Sequence, residues 1–128
     1  MLLMKKIIFI FFIVFACLNS FAQSALKVNS IEFKASYYKH KGTLLDVRTA
    51  YEYADGHIEN ARNIDVSLPN FESEIDKLDR DQAVFLYCGV GIRSAKAASI
   101  LRKKGFKYVY DLDGGYKDLI KVGMRSVK

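Results

Sequence analysis

The chain of 128 residues is poor in the side chains that build metal centres and disulfide frameworks: it has two cysteines and two histidines. That rules against an assembled metal cluster, which needs several such ligands close together. The scarcity is sharper once the N-terminus is read. Lys5 and Lys6 precede an unbroken apolar run from Ile7 to Leu18, and small residues follow at Ser20 and Ala22. A basic start, an apolar centre and a small-residue end match a secretory signal peptide. The run is shorter than the roughly 20 apolar residues of a membrane span.

Residues 1–22 are therefore expected to be a leader cleaved after Ala22, and residues 23–128 one domain. Two readings compete: an uncleaved anchor, and a lipoprotein cut before Cys17, which would bring the protein to a membrane through the lipid. Val14-Phe15-Ala16 fits the lipoprotein pattern loosely, with bulky Phe15 where a small residue is usual. Cleavage at Ala22 removes Cys17 and leaves Cys88 as the sole thiol. No internal disulfide can then form, and a lone thiol in an exported domain is a candidate for reactivity. Without Lys5 and Lys6 the balance is 18 basic to 14 acidic residues, a net charge of +4. There is no basic stripe interleaved with aromatics, so nucleic acid is not expected as a partner. Internal repeats, low-complexity tracts and linkers are also missing from 23–128.

What is present is alternation of short apolar runs with helical stretches, the pattern of an α/β domain. Ser30 is read as the N-cap of a helix through Tyr38. A strand is expected over 43–47, a short helix over 50–54 and an extended piece over 61–66. Asn70 is read as capping a helix that runs to Leu78. A nearly all-apolar strand over 83–87 is expected to be covered on both faces. Ser94 to Lys104 reads as a helix with Ser94 at its N-cap and Gly105 just beyond its end. A strand over 107–112 and a last helix over 116–122 complete a mostly parallel sheet with helices on both sides.

The chemistry concentrates in Tyr87-Cys88-Gly89-Val90-Gly91-Ile92-Arg93-Ser94. Cys88 ends a strand and precedes a helix, where backbone N–H groups and the helix dipole favour a thiolate. Gly89 and Gly91 remove side chains, so N–H groups can converge on one point as an anion nest. Arg93 closes the loop. A core cysteine would need neither the glycines nor the arginine. Four residues separate Cys88 from Arg93. Cysteine-dependent phosphatases have five, so this tighter cup suits one sulfur atom better than a phosphoryl group.

Asp46 and Arg48 follow a strand end, within reach of the cysteine loop, and a structural ion pair, for instance of Arg48 with Glu52, is the stronger expectation. His57, between Gly56 and Ile58, reads as a turn residue bonded to backbone. Gly114-Gly115 lacks the Lys-Ser/Thr of a P-loop and reads as a place of close packing.

Several motifs together resemble the rhodanese family. Leu44-Leu45-Asp46-Val47-Arg48, Glu52-Tyr53, Gly56-His57-Ile58 and Ala61-Arg62-Asn63-Ile64 match its first signature. Tyr87-Cys88 through Arg93-Ser94 match its active-site loop, and Leu112-Asp113-Gly114-Gly115-Tyr116 its closing motif. The resemblance spans about Val28 to Gly123. It implies a three-layer α/β fold around a mostly parallel five-stranded sheet. It also implies a sulfurtransferase that needs no cofactor. Cys88 would carry sulfur from a small donor, thiosulfate or a persulfide, to cyanide, a thiol or a protein acceptor. Gly89, Val90, Gly91, Ile92, Arg93 and Ser94 would bind substrate, and Asp46 and Arg48 would support the site. A sulfur-relay module and a phosphatase or arsenate reductase on the same fold are the alternatives. The family often has tryptophan where this chain has Leu119, so a loosely packed closing helix is expected. Val90 and Ile92 are apolar where many family loops are polar.

Overall fold

A computed structural model describes residues 1–19 and 25–128, the side chains of 12–19 excepted. The expected cleavage site at Ala22 and the side chain of Cys17 lie outside the described residues. Leu2–Asn19 forms helix α1, with the side chains up to Phe11 exposed. Among the described residues, no helix is long and apolar enough to cross a membrane.

From residue 25 the chain alternates strand and helix. Leu26–Val28 is β1, Ser30–His40 is α2, Thr43–Asp46 is β2 and Ala50–Asp55 is α3. His57–Ile58 is β3, Arg62–Asn63 is β4 and Phe71–Ile75 is α4. Val84–Tyr87 is β5, Ile92–Lys103 is α5, Val109–Leu112 is β6, Tyr116–Lys121 is α6 and Ser126–Val127 is β7. The main sheet has five strands in the order β1-β6-β5-β2-β4, and every pair is parallel. β3 and β7 pair antiparallel in a separate ribbon. This is the expected α/β architecture of a five-stranded sheet flanked by helices.

The three layers follow from the period of two along the central strand. Val84, Leu86 and Cys88 face one side of β5, in a cluster with Phe71 and Ile75 of α4 and Ala97, Ala98 and Leu101 of α5. Phe85 and Tyr87 face the other, with Phe33 of α2 and Leu119 of α6. Both faces are covered, so all four β5 residues are buried and the strand reads as one apolar run. Aromatic contacts fix the second layer: Phe33 meets Phe85 edge-on at 5.5 Å, and Phe85 stacks on Tyr110 at 4.5 Å.

Several local expectations are corrected. Asn29, not Ser30, caps α2: its side chain accepts the Glu32 N–H at 2.9 Å. Asn70 makes no side-chain cap, and α4 ends at Ile75. Leu78 is nevertheless buried, because the turn after α4 returns it to the core. α5 starts at Ile92 on a Gly91 cap, which places Ser94 inside its first turn. The closing helix is not loose. Leu119 has 0% exposure and shares its cluster with Phe33, Leu112 and Met124, which fill the space around it.

Candidate functional site

The loop between β5 and α5 lies at the carboxyl edge of the sheet, on its central strand. Cys88 Sγ accepts the Gly91 N–H at 3.1 Å and the Ser94 N–H at 3.4 Å. Gly91 takes φ +104°, a left-handed value that turns its N–H back toward the sulfur. Ser94 is fully buried, and its hydroxyl donates to the Gly91 carbonyl at 3.2 Å. Burial pushes the Cys88 thiol up. The N–H groups of Ser94, Gly91 and Val90 outweigh it, so the thiol lies below the ordinary cysteine range. The result is a thiolate-holding cup made mostly of backbone.

Cys88 has 0% exposure. Its sulfur faces the N–H groups and the core beneath, so a reactant reaches it only from within the cup. Val90 and Ile92 are the opposite, at 76% and 78% exposed. They form an apolar rim on either side of Gly91.

Arg93 does not stand free over this cup. Its Nη1 and Nη2 donate to Glu52 Oε1 and Oε2 at 2.6 and 3.0 Å, joining the loop to α3. This bidentate geometry is the strong form of an arginine–carboxylate pair. The Arg93 hydrogen bonds hold the Glu52 carboxyl at about 2. Thr49 caps α3 by accepting the Glu52 N–H at 3.2 Å, which positions that carboxylate.

The expected pair of Arg48 with Glu52 does not form. Arg48 instead bonds Asp46, two residues back, with Nη2 to Oδ2 at 2.6 Å and Nε to both oxygens at 3.0 Å. The same Nη2 donates to the Gly56 carbonyl at 2.6 Å. Its guanidinium lies 4.3 Å from the Tyr116 ring centroid. Both partners are buried, and Asn63 bonds the carbonyls of Asp46 and Arg48 at 3.0 and 2.8 Å. Asp46 and Arg48 thus tie the end of β2 to the start of α6 and do not touch the sulfur cup. His57 Nδ1 bonds the Tyr53 carbonyl at 2.9 Å, and its ring stacks on Tyr53.

Gly114-Gly115 forms the wall behind the cup. Tyr116 N–H donates to the Cys88 carbonyl at 2.8 Å. A Cβ on Gly115 would fall under 3.0 Å from the Gly89 carbonyl. The close packing expected of this pair is therefore packing against the cysteine loop itself. Sequence reasoning missed Glu52 as the partner of Arg93, 41 residues away, and Tyr116 as the anchor of the Cys88 carbonyl. It also missed Asp111, a buried carboxylate on β6 with Lys27 3.9 Å away. Glu52 sits in the signature that marks the family, but nothing local reveals its partner. Among the described residues, no group of three or more His, Cys, Asp or Glu side chains is placed to hold a metal.

A parallel α/β sheet with a backbone-lined thiolate cup at the end of its central strand defines a class of cysteine-dependent domains. Within that class, the chain belongs to the rhodanese-like domain family, whose model matches residues 31–121. It is 42% identical over 86 residues to YqhL of Bacillus subtilis (strain 168), covering 67% of this chain and 65% of that protein. It is 36% identical over 88 residues to a tRNA uridine(34) hydroxylase of Onion yellows phytoplasma, covering 66% of this chain but only 29% of that protein. The chain thus spans less than two thirds of these relatives. Among solved structures it resembles a rhodanese-related protein of Thermoplasma volcanium, with TM-score 0.68 and 30% identity, covering 80% of this chain and 97% of that one. It shares its fold with the human single-domain sulfurtransferase, with TM-score 0.67 and 24% identity, covering 77% and 97% of the two chains.

Proposed function

We propose that the protein is a sulfurtransferase that carries sulfane sulfur as a Cys88 persulfide. The observation that supports this most directly is the pair of N–H groups, from Gly91 and Ser94, aimed at Sγ. The Cys88 thiolate attacks the outer sulfur of thiosulfate or a persulfide. A new S–S bond forms, and the donor's S–S bond breaks. Sulfite or a thiolate leaves with the electron pair. The N–H groups of the loop and the α5 dipole then stabilise the charge on the terminal sulfur. Cyanide or a thiol attacks that sulfur and restores the Cys88 thiolate. Arg93, held by Glu52, fixes the shape of the loop.

In this reading Cys88→Ser abolishes sulfur transfer, and incubation with donor adds one sulfur atom to the intact mass of the wild type only. A variant that keeps turnover, or a wild-type mass that does not change, refutes the persulfide. A sulfur-relay role toward a protein acceptor is the second reading, favoured by the exposed Val90 and Ile92. It predicts loading of Cys88 with negligible turnover on cyanide. The hydroxylation named for the longer relatives is not proposed for this chain, which spans under a third of the phytoplasma protein. The first 22 residues are proposed as an export leader, consistent with exposed side chains from Met1 to Phe11 that join neither core cluster. Sequencing the mature N-terminus tests this: a start at Gln23 supports it, and a start at Met1 refutes it.

A further inference from the structure

A dianionic donor needs positive charge at the mouth of the site, and the cup supplies little of it. The cation beside it, Arg93, is bonded through both terminal nitrogens to Glu52. Besides Glu52, the guanidinium feels the negative charges of Cys88 and Asp65. Arg93, the cation that acts on Cys88, thus also faces the carboxylates of Glu52 and Asp65. The two side chains that flank Gly91, Val90 and Ile92, are apolar and mostly exposed. Such a mouth repels a small dianion and costs an organic donor no desolvated charge.

We infer that the Glu52–Arg93 pair and the Val90–Ile92 rim make this site selective for organic persulfides over thiosulfate. The inference rests on the sulfurtransferase reading and names its donor class. The loading step balances without an outside oxidant. The Cys88 thiolate bonds the outer sulfur of R–S–SH, the donor S–S bond breaks, and R–S⁻ leaves with the electron pair and takes a proton from water. Glu52 acts here as a specificity determinant, because it cancels the charge that would otherwise hold an oxoanion.

The test compares loading of Cys88 by thiosulfate and by the persulfide of 2-mercaptoethanol, followed by intact mass over time. The quantity read is the ratio of the two second-order rates, thiosulfate to persulfide. A unit positive charge about 7 Å from a dianion, at an effective dielectric near ~60, is worth roughly tenfold. Val90→Lys and Glu52→Gln should each raise the ratio roughly tenfold, and Val90→Gln, which removes the apolar surface without adding charge, should not match them. The gain in Val90→Lys should shrink at ~1 M salt, where the Debye length is about 3 Å. Val90→Lys changes an exposed position, so it keeps the test open if Glu52→Gln loosens the loop. If Cys88 loads but the ratio stays put in both charge variants, or Val90→Gln reproduces Val90→Lys, the inference falls and the sulfurtransferase reading stands. If neither donor loads Cys88, both fall.

Discussion

Replacing Gly115 by alanine should damage the cysteine loop through contact alone. Gly115 has φ −144° and ψ −175°, extended backbone that alanine adopts without strain. The added methyl has nowhere to go: it would fall under 3.0 Å from the Gly89 carbonyl and 3.0 Å from the Val90 nitrogen. The partner is backbone, so no rotamer change relieves the overlap. Either the loop lifts or α6 retreats, and both stretch the 2.8 Å hydrogen bond from Tyr116 N–H to the Cys88 carbonyl. Overpacking of this kind costs about 1–3 kcal/mol, and the lost hydrogen bond adds about 1 kcal/mol. Gly115→Ala should thus lose about 2–4 kcal/mol in urea denaturation. Its effect on Cys88 should run opposite: the fully buried thiol becomes easier to reach, and iodoacetamide should label it at least about tenfold faster, an opening worth ~1.4 kcal/mol. A variant within about 0.5 kcal/mol of wild type, with an unchanged labelling rate, would refute the close approach of loop and helix.

Two further outcomes follow from the same geometry. The Cys88 thiol lies below the ordinary range, so the reactive thiolate persists above that lowered value and is lost as pH falls through it. Alkylation should therefore stay fast below the usual thiol range; a rate profile with its midpoint at or above the ordinary thiol value would remove the N–H cup as the cause of activation. Arg48→Met leaves the Asp46 carboxylate buried without its partner and should cost about 3–5 kcal/mol in chemical denaturation, whereas a loss under about 1 kcal/mol would mean that the pair is not a buried one.

Much of this fold was legible because the long central elements obey one rule each. β5 reads as apolar throughout, and α5 carries small side chains where it meets the sheet. The misses have physical causes. β1 has three residues with Leu26 and Lys27 exposed, so no apolar period marks it. β3 and β7 have two residues each, too few for any pattern. The cap of α2 slipped by one position because Asn29 and Ser30 are both good caps, and only the side-chain bond to Glu32 distinguishes them. At the site, the loop was visible as a run of neighbours in sequence. Its supports were not: Glu52 reaches Arg93 across 41 residues, and such a pair exists only once the sheet has brought α3 beside α5. The Arg48 assignment failed for the opposite reason. Its partner is two residues away across a turn, and the helical spacing to Glu52 looked equally good.

The complete burial of Cys88 divides labour between two sulfur atoms. An S–S bond is about 2.05 Å long. In the proposed persulfide the inner atom stays in the buried position that Sγ holds now, and the outer atom extends one bond length beyond it. The protein would then shelter the sulfur it must keep and present the sulfur it must give away. Oxidants and alkylating agents would meet cargo first, and the loss of one cargo atom is repaired by the next turnover. Once cut after Ala22, as proposed, the chain would hold no second cysteine to rescue the first, and this depth of burial would be its insurance against permanent damage.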